Sequence, residues 1–388
     1  MTYRRRWSAG APGGSEVKHW ANFDIQLVGL PVALVAFGSI VLFAISRWPT
    51  SGVTLSTPIH QALYAVLGLA AMVILTNFDY RLLRSLAVPL FALNMLILLV
   101  VLGLGHSAYG AQRWINVGIL PLQPSEPAKL MLVIVLAKFF ADREDRGVSG
   151  RAMLGSLLWV VAPMALVLLQ PDLGTSAVFV AIWVGIALMA GVQLSHLAAL
   201  AAGCGAILPV LWNAMGHVQR FRYMQDRLTI FLNPNKDPLG EGYNVIHSLI
   251  TVGAGGFLGQ HFAPGTQSQL GFQRVEDKDF IFSVIAEQVG FAGVLVLFAA
   301  YTMLLLRIAR VSFMAGDIFG RLLASGILAM LMFQIFVNIG MNVGMMPVTG
   351  IPLPLLSYGG SSLITTLASL GILQSILLRH QKLVFAAG

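Results

Sequence analysis

Charged side chains are scarce in this chain, so the places where they gather carry most of its chemical information. Of 388 residues, Lys+Arg number 24 and Asp+Glu 16, and four stretches hold the groups that could do chemistry. The first is Gly110-Ala-Gln-Arg-Trp114, continuing to Gln123-Pro-Ser-Glu-Pro-Ala-Lys129. Ser125 suits a helix N-cap, and Glu126 the first turn, where the helix dipole favours an anion. Lys129, three residues on, shares its face. The second is Gln170-Pro-Asp-Leu-Gly-Thr-Ser176, in which Asp172 either caps the next helix or faces a cavity shared with Arg113 and Lys129. The third places Arg220, Arg222 and Arg227 ahead of Asn233-Pro-Asn-Lys-Asp-Pro-Leu-Gly-Glu-Gly-Tyr243. Guanidinium groups there suit a phosphate or a phospholipid headgroup, and equally a solvated basic stretch. The fourth is Glu276-Asp-Lys-Asp279, directly before the apolar run from Phe280, with Glu287 two turns further in. A carboxylate at that border is either a helix cap or a general base.

The elements that must position these groups are apolar. Hydrophobic residues make up 57% of the chain and charged ones 10%, against about 25% charged in soluble domains. Mean hydropathy is +0.80. Soluble, collagenous and disordered classes are excluded. The single cysteine, Cys204, excludes an intramolecular disulfide and a multi-cysteine metal site. A net charge of +8 reads as positive flanks of membrane spans rather than a nucleic-acid surface. Gly253, Gly255, Gly256 and Gly259 lack the Lys-Ser/Thr that a nucleotide-binding loop requires. No His/Cys/Asp/Glu set has zinc spacing.

Spans need about 20 apolar residues. Ten such runs lie near 25–46, 60–76, 85–105, 126–141, 153–170, 174–191, 195–213, 280–306, 322–343 and 361–378. Short-loop Lys and Arg residues fall mostly on the side of the termini, among them Arg4, Arg81, Lys138, Arg307 and Arg379. Both termini are therefore expected in the cytoplasm. The long segment 214–278 is then extracytoplasmic, with Leu228–Leu232 and Val245–Val252 as lateral helices. All the polar clusters lie on that outer side. Residues 344–360 are uncharged, and seven of the seventeen are Gly or Pro. They are too broken for a helix and too apolar for an exposed loop. Such backbone survives at membrane depth only when buried in protein or lining a cavity, so a re-entrant loop flooring the outer cavity is expected. The organisation expected is a cytoplasmic tail (1–23), one membrane domain (24–380) and a second tail (381–388).

Taken together, these blocks resemble the SEDS family of polytopic membrane proteins, which includes RodA and FtsW. The blocks are Gly110-Ala-Gln-Arg-Trp-Ile115, Gln123-Pro-Ser-Glu126, Gln170-Pro-Asp-Leu-Gly-Thr-Ser176, Asp237-Pro-Leu-Gly-Glu-Gly-Tyr243, Gly265-Thr-Gln-Ser-Gln-Leu270, Asp279-Phe-Ile-Phe282 and Pro347 to Ser362. Val-Thr-Gly-Ile-Pro-Leu-Pro and Gly-Thr-Gln-Ser-Gln are worded more like the RodA branch. The resemblance implies an all-α bundle of ten transmembrane helices in the cytoplasmic membrane. It implies a peptidoglycan glycosyltransferase that polymerises lipid II at the outer face during elongation and shape maintenance. Its partners would be a class B penicillin-binding transpeptidase and other elongation-machinery membrane proteins. The family's catalytic carboxylate maps onto Asp279. Arg113, Trp114, Glu126, Lys129, Asp172, Arg227, Glu287 and Ser357 are the substrate-binding candidates.

The chain departs from that pattern in places. Gln273-Arg-Val-Glu-Asp-Lys278 replaces a Leu-Pro-Glu-x-His-Thr run, which makes Asp277 a rival base. Gln288 follows Glu287 in place of a second Glu, and Pro127, Gln225 and His247 also differ. Metal use stays open: a divalent cation such as magnesium or manganese would find Asp172 or Glu126, but no dedicated cage. A precursor flippase and a non-catalytic scaffold for a transpeptidase are the alternatives.

Overall fold

Each of the ten apolar runs overlaps a helix in the computed structural model. It describes residues 20–47, 53–104, 106–108, 111–117, 120–143, 149–217, 219–238, 240–261 and 277–379. The helices are α1 (Gln26–Ser46), α2 (Ser56–Asn77), α3 (Leu82–Leu104), α4 (Ser125–Ala141), α5 (Gly150–Leu169), α6 (Leu173–Met189), α7 (Leu194–His217), α8 (Gln219–Leu232), α9 (Glu241–Ala254), α10 (Ile281–Met314), α11 (Ile318–Asn342) and α12 (Gly360–Leu378). Seven of them, α1, α2, α3, α5, α10, α11 and α12, are long and apolar enough to cross a membrane. α6 and the first part of α7 are shorter apolar helices, and α4 has 17 residues.

Burial sorts the bundle into a centre and a rim. In α12, 94% of the most apolar window is buried, and in α11 72%, against 28% in α2, α3 and α5. Leu158, Val296 and Phe313 of the rim are each more than two-thirds exposed, as lipid-facing side chains would be. With lipid outside, helix association rests on close packing rather than on apolar burial. α12 approaches α2 through small residues. A Cβ placed on Gly371 would lie 2.5 Å from the Met72 carbonyl oxygen, and one on Gly68 2.6 Å from Leu367 Cδ1.

The chain ends of the bundle are tied by polar pairs. The Tyr80 hydroxyl donates to Asp317, which also caps α11 by accepting from Gly320 N. Burial, and then the Asp317 charge, push the Tyr80 hydroxyl far above its ordinary pKa. Asp142 lies 2.6 Å from Arg84 and 3.3 Å from Lys138. Partial burial raises its carboxyl, but the two cations outweigh this and hold it low.

Two features depart from the expected all-helical bundle with one loop. Residues around the first polar cluster form a small antiparallel sheet, β1 (His106–Ala108), β2 (Ala111–Val117) and β3 (Leu120–Leu122). Trp114 lies opposite His106, and Asn116 opposite Pro121. Proline is tolerated there because β3 is an edge strand. The segment expected as a loop from 214 is largely helical. α7 runs on to His217, and α8 and α9 occupy the two places where lateral helices were expected. Residues 262–276, with Glu276 and the Gly265–Leu270 block, lie outside the described residues.

α10 is interrupted at Gly290, whose φ of 65° and ψ of −171° are open essentially to glycine alone. The backbone groups freed by the break are taken up by the chain after α9. Gln260 N donates to Glu287 O at 2.8 Å and His261 N to Gln288 O at 3.1 Å, while Phe291 N donates to Gly256 O and Ala292 N to Phe257 O, both at 3.0 Å. The glycine-rich stretch is thus a backbone splint for a broken membrane helix, and Gly255 and Gly259 allow the close approach.

Gly371→Val should force α12 away from α2. The expected loss is about 1–3 kcal/mol, seen as a lower melting temperature in detergent. An unchanged melt would show that the two helices separate freely.

Candidate active site

Asp279 sits in the turn Asp277–Phe280 that precedes α10, and its side chain is half-buried. The carbonyls of three successive residues in this turn all accept hydrogen bonds from elsewhere in the bundle. Tyr358 N donates to Asp277 O at 2.8 Å. Ser357 Oγ donates to Lys278 O at 2.5 Å. Asn338 and Asn342 Nδ2 donate to Asp279 O at 3.0 and 3.1 Å. The two asparagines are four apart on α11 and so share a face.

Each donor is itself held. Asn338 Nδ2 also donates to Ile351 O at 2.8 Å. Asn342 Oδ1 accepts from Ser283 N at 3.2 Å, and Ser248 Oγ of α9 donates to Asn342 O at 2.8 Å. Ser357 Oγ accepts from Leu353 N at 2.8 Å, and Gln61 Nε2 donates to Ser357 O at 3.2 Å. Lys278 Nζ lies 6.0 Å from the Tyr358 ring centroid. A Cβ added to Gly350 would stand 3.6 Å from Asp279 Oδ2, so the carboxylate faces the bare backbone of the non-helical segment between α11 and α12.

That segment, 344–360, is the hub of the site. It is non-helical up to Gly359, with Ile351, Leu353, Leu355, Leu356 and Ser357 buried. Arg227 Nη1 of α8 donates to Val348 O at 3.0 Å. On the other side, Gly174 of α6 packs so closely that a Cβ would lie 2.6 Å from Thr349 O. Asp172, two residues earlier, is the N-cap of α6 and accepts from Thr175 N and Thr175 Oγ1, both at 3.0 Å. It also receives Gln123 Nε2 at 3.3 Å and Ser125 Oγ at 3.5 Å. Gln123 N in turn donates to Ser361 Oγ, in the first turn of α12, at 2.9 Å.

Glu126 and Lys129 begin α4 beside that network, with Lys129 Nζ 2.7 Å from each carboxylate oxygen. Both side chains are at least 95% buried. A buried pair of this kind is neutral as a unit, and removal of one partner strands the other.

The structure therefore gathers Asp279, Ser357 and Arg227 around residues 346–361, with the Asp172 cap joined to them through Gly174 and Gln123, and Glu126 and Lys129 next along α4. Glu287 is fully buried, but its peptide belongs to the splint at the α10 break. Trp114 is half-buried in β2. Arg113 lies in β2, and its side chain falls outside the described residues, as do those of Arg220 and Arg222. Asp277, the rival base, is held above the usual carboxylate range by burial, with Lys278 and a backbone hydrogen bond opposing. The two carboxylates offered to a divalent cation do not fit that role, since Asp172 caps α6 and Glu126 is paired with Lys129. Among the described residues no three His, Cys, Asp or Glu side chains converge as metal ligands.

Asn338, Asn342, Ser283 and Ser248 were not singled out from the sequence. Their signal was present as two asparagines at i and i+4 inside an otherwise apolar span, a spacing that marks one polar face of a membrane helix.

A polytopic helical membrane protein with a half-buried acid at the mouth of a broken helix defines the class. Comparison with known proteins gives the family. Residues 25–382 match the model of the FtsW, RodA and SpoVE cell cycle proteins, and the chain belongs to that family. It is 35% identical to the peptidoglycan glycosyltransferase MrdB of Escherichia coli K12 over 363 residues, 94% of this chain and 95% of MrdB. It is 35% identical to the stage V sporulation protein E of Bacillus subtilis, over 91% of this chain and 96% of that one. Among solved structures, a chain from a study of how a peptidoglycan synthase complex coordinates polymerization and crosslinking superposes with a TM-score of 0.79. That chain is 34% identical, and the match covers 94% of this chain and 100% of that one. The rod shape determining protein RodA of Thermus thermophilus gives a TM-score of 0.69 at 30% identity, over 94% and 99% of the two chains.

Two predictions follow from the charged groups. Glu126→Gln alone should destabilise by about 3–5 kcal/mol, and addition of Lys129→Met should restore most of it, read as melting temperatures in a double-mutant cycle. For Asp277, a folded pKa above the unfolded one means that folding favours the protonated acid. Stability then falls as pH rises from the ordinary carboxylate range through the raised value. Asp277→Asn should be more stable than wild type at neutral pH, with the difference vanishing in acid.

Proposed function

We propose that this chain is a peptidoglycan glycosyltransferase that polymerises lipid II at the outer face of the cytoplasmic membrane, in cell elongation and shape maintenance. The observation that carries the reading is the Asp279 carboxylate, half-buried at the start of α10 and turned toward Gly350, on a turn whose three carbonyls are all engaged. The names of the relatives, peptidoglycan glycosyltransferases at 35–36% identity, support the same activity.

The reaction forms a bond from the acceptor sugar's 4-hydroxyl oxygen to the donor's anomeric carbon and breaks the bond to the polyprenyl pyrophosphate. Asp279 takes the hydroxyl proton. Its fixed backbone keeps the carboxylate aimed without reorganisation in the transition state. Arg227 is the leading candidate to neutralise the departing pyrophosphate, with Arg113 a second, because a guanidinium grips phosphate oxygens as a fork. Lys129, locked to Glu126, shapes the field of the site rather than gripping substrate. Ser357 holds the Asp279 turn, and Asp172 ties α6 to the start of α4. Trp114 lines the outer approach from β2. Glu287 supports the half-helix that carries Asp279. The polyprenyl tail stays in lipid, so substrate enters sideways between helices.

The partner is a class B penicillin-binding transpeptidase, within the elongation machinery. The solved relative from a complex of polymerization and crosslinking supports that pairing. Excess Lys and Arg in short loops on the side of the termini supports cytoplasmic N- and C-termini.

Purified chain with lipid II, with glycan strands resolved on a gel, tests the assignment. Asp279→Asn should lose at least about a hundredfold in rate, while Asp277→Asn retains most activity and chelator leaves it unchanged. Polymer made at the wild-type rate by Asp279→Asn would remove the acid from its role. Movement of lipid II across the bilayer without polymer would identify a flippase, and neither activity a scaffold.

A further inference from the structure

The far end of α10 carries a second arrangement that the reaction does not use. At about 1.5 Å per residue, the helix from Gly290 to Arg310 spans about 30 Å, the thickness of a hydrocarbon core. Arg307 and Arg310 therefore lie at the opposite membrane border from Asp279. There a cavity of about 330 Å³ opens between the chain entering α1 and the last turns of α10. Among the described residues, Asn22, Asp24, Gln26, Arg307 and Arg310 supply its polar lining, and Phe23 and Met314 part of its apolar wall.

Its charge is unbalanced in favour of an anion. Asp24 lies 3.5 Å from Arg307, but its Oδ1 already accepts from Gln26 N at 2.9 Å and Leu27 N at 3.3 Å to start α1. Arg310, three residues from Arg307 and on the same face, is exposed and has no ion pair among the described residues. Gln26 Oε1 is buried with no hydrogen-bond partner among the described residues. Its amide can turn either way and so offers a donor or an acceptor to a ligand.

The surroundings indicate where the anion comes from. Trp20, Phe23 and Ile25 are 59%, 38% and 74% exposed on the segment that enters α1. Tryptophan and apolar residues placed so sit at the headgroup level of a bilayer. Two guanidinium groups beside them match a phosphate at the depth where lipid phosphates lie, with acyl chains against the apolar wall.

We propose that this cavity binds the phosphate of an anionic phospholipid headgroup. A free phosphate would satisfy the same arginines and leave the apolar residues beside them without a partner.

The test uses the full chain in detergent, offered phosphatidylglycerol or cardiolipin against phosphatidylcholine, with retained lipid counted by native mass spectrometry. Arg310→Gln is the informative variant, because it leaves no carboxylate unpaired. Wild type should retain anionic lipid in preference, and Arg310→Gln about tenfold less, the equivalent of one charge-assisted hydrogen bond. Millimolar inorganic phosphate should not displace the lipid. A lipid-free melt matching wild type shows that the variant is folded. Should it melt lower, Arg310→Lys, which keeps the charge without the fork, is read for a smaller loss. Equal retention by wild type and a folded variant would overturn the proposal. Displacement by inorganic phosphate would identify a soluble-anion site and overturn it too.

Discussion

Three adjacent carbonyls, those of Asp277, Lys278 and Asp279, must find donors in a region where water is scarce, and that requirement organises the site. An unpaired backbone group in such surroundings costs several kcal/mol. Here the donors come from Tyr358 N, Ser357 Oγ and the Asn338 and Asn342 amides. The same bonds that satisfy the turn therefore join the start of α10 to one face of α11 and to the non-helical segment before α12. Asn338, shared between Asp279 O and Ile351 O, fixes the distance between acid and loop. The satisfied backbone of the turn fixes where the Asp279 side chain starts from.

The break at Gly290 follows the same logic. A short half-helix lets the acid-bearing turn and Glu287 sit at an angle the rest of α10 does not share, but it frees carbonyls and amides at the junction. Residues 256–261 answer them pairwise. This explains why a glycine-rich stretch occurs where no nucleotide signature follows. It also links α9 and the chain after it to the active turn, since Ser248 of α9 reaches Asn342 directly.

Much of the fold was legible because apolar length is a coarse and robust signal. The ten runs are found as helices, and the lateral helices at 228–232 and 245–252 lie within α8 and α9. The Gly/Pro-rich segment is non-helical up to Gly359, with Ile351 and Leu353 to Ser357 buried and Met345 exposed. What escaped was set by pairing rather than by composition. The sheet around Trp114 depends on three short segments meeting across turns, and none of them is apolar enough to announce a strand. The break in α10 is a glycine in a helix-compatible run, which sequence alone does not distinguish from a packing glycine. Asn338 and Asn342 carry no charge to mark them in the sequence, although the turn before α10 is held by their neutral amides. Asp172 remained undecided between cap and cavity. The structure shows a cap whose second oxygen accepts from Thr175 Oγ1 and also gathers Gln123 and Ser125.

The buried charges also divide the labour. Glu126 and Lys129 complete each other at 2.7 Å, and removal of either would strand the other in low dielectric. Asp172 is committed to Thr175 and the start of α4. The groups that retain access are those only half-buried at the hub, Asp279 from one side and Arg227 from the other. A carboxylate from the turn before α10 and a guanidinium from α8 thus approach one uncharged loop. The buried Glu126–Lys129 pair and the Asp172 cap belong to the frame around that loop.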